Sequence, residues 1–154
     1  MSEMEYPAAR EYLNQVRRAK RRVERLRWRM TNLRMLLTDT AVHPAVIPHG
    51  GSGDMQKHET IQAEIDELER EIATAEDEER EIREEVGITI CRLEDPMIQR
   101  VMILRYLDGE CWKDVAQKTN YGLSQTFRFN EIGLSELEKL LAKGFSKKMV
   151  VDGS

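Results

Sequence analysis

The chain has few of the residues that drive metal, redox or membrane chemistry. Its two cysteines, Cys91 and Cys111, show no CxxC spacing and no metal-ligand pairing, so two free thiols are expected. The three histidines, His43, His49 and His58, sit in or beside a Gly/Pro loop without the tight spacing of a metal site. No run approaches the roughly 18 apolar residues of a membrane span. The opening MSEMEYPAAR lacks the basic-then-apolar layout of a signal peptide, so a cytoplasmic location without membrane contact is expected. No nucleophile–base pair or phosphate loop stands out. That argues against an enzyme, a cofactor and a small-molecule substrate. Aromatics make up 6% of the chain and mostly follow residue 100, so the C-terminal part alone has the means for a compact core.

Charge and heptads are abundant instead. DEKR residues are 34% of the 154. From Pro7 to Leu37, Ala9, Val16, Val23, Met30 and Leu37 recur every seven residues, interleaved with Tyr12, Ala19, Leu26 and Leu33. From Met55 to Val86, Ile61, Leu68, Ala75 and Ile82 interleave with His58, Ile65, Ile72, Glu79 and Val86. Such stripes specify coiled-coil helices. Glu79 is a flaw in the second one. Gly87 marks an expected end or bend. Residues 39–54, with Pro44, Pro48 and Gly50-Gly51-Ser52-Gly53, read as a loop that reverses the chain. An all-α fold follows: an antiparallel coiled-coil hairpin over residues 7–90.

Charge agrees with that pairing. Between Ala8 and Leu37 there are ten bases and two acids, and between Met55 and Val86 four bases and thirteen acids. Lys20, Arg22, Arg27, Arg29 and Arg34 flank the first stripe; Glu64, Glu69, Glu71, Glu76, Glu78 and Glu85 flank the second. Basic edges are set to meet acidic edges, which selects the partner more than it adds stability. Bases away from the seam, such as Arg18, Arg21 and Arg25, remain candidates for phosphate contacts.

Residues 94–142 read as a helix-turn-helix domain, and residues 143–154 as a tail. Asp95-Pro96 is an N-cap followed by a good first helical residue. A helix ending at Asp108-Gly109 follows, then a short one from near Cys111, a turn at Asn120-Tyr121-Gly122, and a last helix from about Leu123 to Leu141. Trp112, Val115 and Phe129 are expected to fix the angle of the last two helices, and Gly133 to admit close approach of the first. The outer face of the last helix then presents Ser124, Gln125, Phe127, Arg128 and Glu131. Arg128 suits a guanine edge or a phosphate, and Gln125 suits adenine. Lys113 is a further candidate for a phosphate. Between Asp95 and Lys143 bases and acids are equal in number. A neutral module binds duplex DNA weakly unless doubled or held by another protein such as RNA polymerase.

The segment LEDPMIQRVMILRYLDGECWKDVAQKTNYG, with TFRFNEIGLSEL beyond it, resembles small regulators of temperate phages of Gram-positive bacteria. These are sigma-factor region 4-like proteins, similar to ArpU/RinA-type activators of late phage transcription. The match includes Leu104–Leu107, Gly109 and Trp112 of an LRYL-(D/N)-G-x-x-W pattern. The pattern's usual serine before the recognition helix falls at Gly122. The resemblance implies a transcriptional regulator binding double-stranded DNA in the cytoplasm of a bacterial host, with late phage genes as targets and RNA polymerase as a further partner. A small-terminase-like packaging protein and a protein-interaction module are the rivals. The hairpin satisfies its seam either internally or by pairing again as a homodimer.

Overall fold

The computed structural model describes residues 5–42 and 51–144. All regular elements among them are helical: α1 (Pro7–Val42), α2 (Gly51–Ile90), α3 (Pro96–Met102), a π-helical turn (Ile103–Leu107), α4 (Trp112–Thr119) and α5 (Leu123–Ala142). No described helix is long and apolar enough to cross a membrane. α1 and α2 run further into the 39–54 segment than its proline and glycine content suggests. His43, His49 and most of the tail lie outside the described residues. The chain divides into two compact units, Lys20–Glu78 and a second made of Met1–Ala19 with Glu79–Ser154.

The Lys20–Glu78 unit is an antiparallel helix pair. Val23, Met30, Leu33, Ile65, Leu68 and Ala75 are buried, and Leu26, Leu37, Ile61 and Ile72 pack beside them. These are the heptad positions. His58, assigned by spacing to the same stripe, is exposed instead. Arg22 Nη1 reaches Glu78 Oε2 at 2.9 Å, Arg27 Nη2 reaches Glu76 at 3.3 Å and Arg34 Nη2 reaches Glu69 at 3.5 Å. The basic edge thus meets the acidic edge in antiparallel order. All six side chains are substantially solvated, so each pair contributes a few tenths of a kcal/mol, about 1 at most.

The second unit owes its core to both chain segments. Ala9, Leu13 and Val16 from α1 join Val86, Ile90, Leu93, Ile98, Met102, Leu134 and Leu137. Leu13 lies outside the heptad series, yet it is fully buried, because this part of α1 is covered on more than one side. Gly87 does not end α2: the helix continues to Ile90, and a Cβ at Gly87 would make an ordinary 3.5 Å contact with Leu107. Tyr12 and Thr89 share a 2.8 Å hydroxyl bond. The carboxylate of Glu138, on α5, accepts from the N–H groups of Ala8 (3.2 Å) and Ala9 (2.6 Å). It thereby satisfies two of the donors that α1 cannot pair within itself.

Asp95 caps α3 as its sequence position implies, accepting from Met97 N at 2.8 Å, with Pro96 next. The helix then widens into the π turn, where Asp108 N bonds Ile103 O. Arg83 holds the end of this turn, donating to Leu107 O and lying 3.6 Å from Asp108. Gly109 reverses the chain with φ 71, a conformation that a side chain disfavours. Gly133 serves a different purpose. A Cβ there would fall 2.7 Å from Met102 Sδ, 3.0 Å from Met102 Cγ and 3.1 Å from Ile98 Cγ2. The absence of a side chain lets α5 approach α3 closely.

Candidate nucleic-acid interface

α4, the 120–122 turn and α5 follow one another as a short helix, a turn and a longer helix. The turn is built locally. Asn120 adopts the left-handed conformation (φ 62, ψ 33) that closes α4, and its N–H returns to Ala116 O and Gln117 O. Asparagine tolerates this conformation better than most residues. Tyr121 N also bonds Ala116 O, at 3.1 Å. Gly122 occupies the N-cap of α5 in extended conformation and supplies no side-chain cap. The Thr126 hydroxyl instead turns back to Gly122 O at 2.9 Å. The first N–H groups of α5 precede its hydrogen-bond ladder.

The buried face of α5 consists of Thr126, Asn130, Gly133, Leu134 and Leu137. Asn130 is fixed by Tyr106, whose hydroxyl donates to Asn130 Oδ1 at 2.7 Å. Burial pushes the Tyr106 hydroxyl above its ordinary value of 10.0, against the nearby Arg10 and Arg105 guanidiniums and the Asn130 bond. Asn130 therefore belongs to the internal packing.

Of the residues expected on the outer face, Ser124 and Arg128 are exposed, and Gln125 and Glu131 are half-buried. Lys113, on α4, is exposed. Phe127 is drawn into the module: it is half-buried, with its ring edge-on to Trp112 at 5.2 Å and 72°. The Arg105 guanidinium covers the Trp112 ring at 4.7 Å while donating to Glu110 O at 3.0 Å. This Arg105–Trp112–Phe127 stack has no periodic sequence signal, because it joins the π turn, α4 and α5. Its counterpart, Tyr121 against Phe129 at 5.0 Å and 86°, braces the turn.

Several bases of the module are already engaged. Arg100 Nη2 donates to Lys118 O at 3.1 Å. Lys118 Nζ donates to Glu110 at 2.5 Å, a contact that is the main reason its pKa is raised. Lys113 and Arg128 make no ion pair among the described residues. Among the arm candidates, Arg21 and Arg25 are exposed, whereas Arg18 is paired with Glu11 at 2.7 Å. Both partners of that pair are solvated, so a phosphate would have to displace only a weak contact.

Among the described residues no group of three or more His, Cys, Asp or Glu side chains is placed to hold a metal ion. Both cysteines are exposed free thiols. No family model, curated protein or solved structure matches the chain.

Proposed function

We propose that this chain is a DNA-binding transcriptional regulator, phage-encoded and acting on phage gene expression, with late-gene activation as the role the sequence resemblance implies. One observation carries the reading. The N-terminal half of α5 leaves a cation (Arg128) and a hydroxyl (Ser124) exposed, with a half-buried amide (Gln125) beside them, while its opposite face is locked into the core. That is the chemistry that reads base edges and phosphates from a major groove. The module's even charge makes its phosphate attraction small. Binding is thus expected to be weak for one module and to depend on a second module or a polymerase contact.

A protein-interaction reading has its own support. Tyr121 and Leu123, at the turn and the first position of α5, are exposed apolar residues. On a protein partner they would serve as anchors.

Titration of the purified chain against phage promoter-region duplex at several salt concentrations separates the two. The DNA reading expects affinity that falls with salt and drops by about 5- to 100-fold in Arg128→Ala, the loss of one good side-chain contact. Retention by RNA polymerase but not by duplex at low salt, abolished by Leu123→Ala and unaffected by Arg128→Ala, would transfer the surface to a protein partner.

A further inference from the structure

We propose that the outer face of α1 in the Lys20–Glu78 helix pair binds single-stranded DNA, with bases stacked on Trp28 and phosphates held by the cations around it. The inference goes beyond the duplex reading, uses a different element and does not depend on it.

Trp28 is the most exposed large apolar side chain among the described residues, at 71%. It lies across α1 from Val23 and Met30, which are buried in the seam, so it faces away from α2. Met35, 59% exposed, continues the same line two turns later. Single exposed apolar residues are ordinary. The charge around this one sets it apart. Between Lys20 and Leu36 there are seven bases and one acid, Glu24, which lies one turn before Trp28. Arg22, Arg27 and Arg34 are engaged across the seam. Lys20, Arg21, Arg25 and Arg29 are exposed and make no ion pair among the described residues. Arg21 and Arg25 occupy the two turns before Trp28, and Lys20 and Arg29 flank that line on either side.

α2 does not balance these four cations. Glu69, Glu76 and Glu78 are the seam partners of the other three arginines. Glu59 and Asp66 are exposed, but they lie across α2 from the buried Leu68 and Ala75. That puts them on the far side of the pair, about 20 Å from Trp28, two helix diameters. The Debye length is about 8 Å at physiological salt, so they neither neutralise the face nor repel an anion on it. A second α1 would set arginine against arginine.

The ligand that fits is polyanionic and also offers a flat surface to the indole. Duplex DNA would satisfy the arginines, but its base faces are stacked on one another and would leave Trp28 in water. A single strand presents phosphates and unstacked bases together, the combination that single-strand sites use. Thr31, the one hydroxyl between Lys20 and Leu36, donates to Arg27 O at 3.1 Å. No hydroxyl is thus turned towards a ribose, and the face is assigned to DNA rather than RNA.

Anisotropy of a labelled oligothymidylate of about 15 nucleotides, longer than the roughly 22 Å from Lys20 to Met35, tests this with the full chain. Trp28 emission, read as the difference between the wild type and Trp28→Phe, should be quenched in parallel. Trp28→Ala should weaken binding about 5- to 150-fold, the loss of one stacked base, and leave helix content by circular dichroism unchanged; Trp28→Phe should lose less. A logarithmic salt slope of about −2 to −3 is expected from three or four neutralised phosphates, and Arg21→Ala with Arg25→Ala should flatten it by about 1.4. Absence of binding at low salt overturns the proposal, as does binding indifferent to Trp28→Ala. Equal quenching of Trp28 by a duplex of the same length overturns it and gives the face to duplex phosphates. Oligouridylate binding more than about tenfold tighter gives it to RNA. A Trp28 response to anionic vesicles or polyglutamate but not to oligothymidylate gives it to a lipid surface or an acidic protein. Arg128→Ala, which tests the duplex reading, should leave oligothymidylate binding unchanged, so the failure of either reading is distinguishable from failure of the other.

Discussion

Replacing Gly133 with alanine opposes two effects of known size. In a helix interior alanine is more favourable than glycine by about 1 kcal/mol. Here the new Cβ would fall 2.7 Å from Met102 Sδ and 3.1 Å from Ile98 Cγ2. Met102 is fully buried and Ile98 nearly so, so neither side chain has open space to retreat into. Overpacking of a tight core costs about 1–3 kcal/mol. Taking the middle of that range, Gly133→Ala should lose about 1 kcal/mol net, which for a unit of this size lowers Tm by about 4–8 °C. A sharper consequence comes from relieving the clash. Met102→Ala alone should cost about 2–5 kcal/mol, but in that background Gly133→Ala should become stabilising, by less than its propensity gain of about 1 kcal/mol because the 3.1 Å contact with Ile98 Cγ2 remains. Urea unfolding of the four proteins, followed by Trp112 fluorescence in a Trp28→Phe background, measures the cycle locally. If Gly133→Ala gains its full propensity benefit with Met102 intact, or if its sign is the same in both backgrounds, the close approach of α5 to α3 does not require glycine and the reasoning is wrong.

Three further outcomes follow from described contacts. Glu138→Ala removes the acceptor for Ala8 and Ala9 N–H and should cost about 0.5–2 kcal/mol by thermal melting, with Glu138→Gln losing less; an unchanged Tm would mean that solvent serves the α1 terminus equally well. Glu79 is half-buried at a seam position, and Glu79→Leu should raise Tm through about 1–2 kcal/mol of apolar burial; a lower Tm would show that the carboxylate has a use in the seam. Tyr106→Phe leaves Asn130 Oδ1 buried without its donor, at a cost of about 1–3 kcal/mol near neutral pH. Because burial raises the Tyr106 pKa, its neutral form contributes stability that is intact below 10.0 and lost as pH rises through the folded value. An alkaline melting series should show that loss in the wild type and a smaller one in Tyr106→Phe, where the half-buried Tyr12, its pKa also raised chiefly by burial, still contributes.

Repetition made part of this structure legible from the sequence. Between residues 20 and 78 the pairing of α1 with α2 follows a seven-residue rule and a charge rule, so Arg22–Glu78, Arg27–Glu76 and Arg34–Glu69 join flanking positions that the sequence marks as basic and acidic. Asp95-Pro96 and Asn120-Tyr121-Gly122 are equally readable, because caps and turns are decided by a few adjacent residues. Contacts that occur once were hidden. Nothing periodic joins Glu138 to Ala8, or Arg105 to Trp112 and Phe127, so helical spacing alone sets Phe127 on the outer face while its ring packs on Trp112. Glycine's low helix propensity at Gly87 is outweighed by the packing of Val86, Thr89 and Ile90 around it, and α2 runs on to Ile90. The partner of Arg18 is Glu11, seven residues earlier on the same solvated face, a pairing that the seam positions do not indicate.

The core around Leu13, Val86 and Leu134 is assembled from two stretches of chain with residues 20–78 between them. Residues 94–142 hold only part of that core, whose remaining buried residues include Ala9, Leu13, Val16, Val86 and Ile90. Removing whole heptads in equal number from both arms would keep every stripe in phase and leave that core's residues untouched. A shortened pair of that kind should therefore melt with its second unit intact, whereas a chain cut between residues 19 and 79 has to bring two separate segments together to rebuild that core.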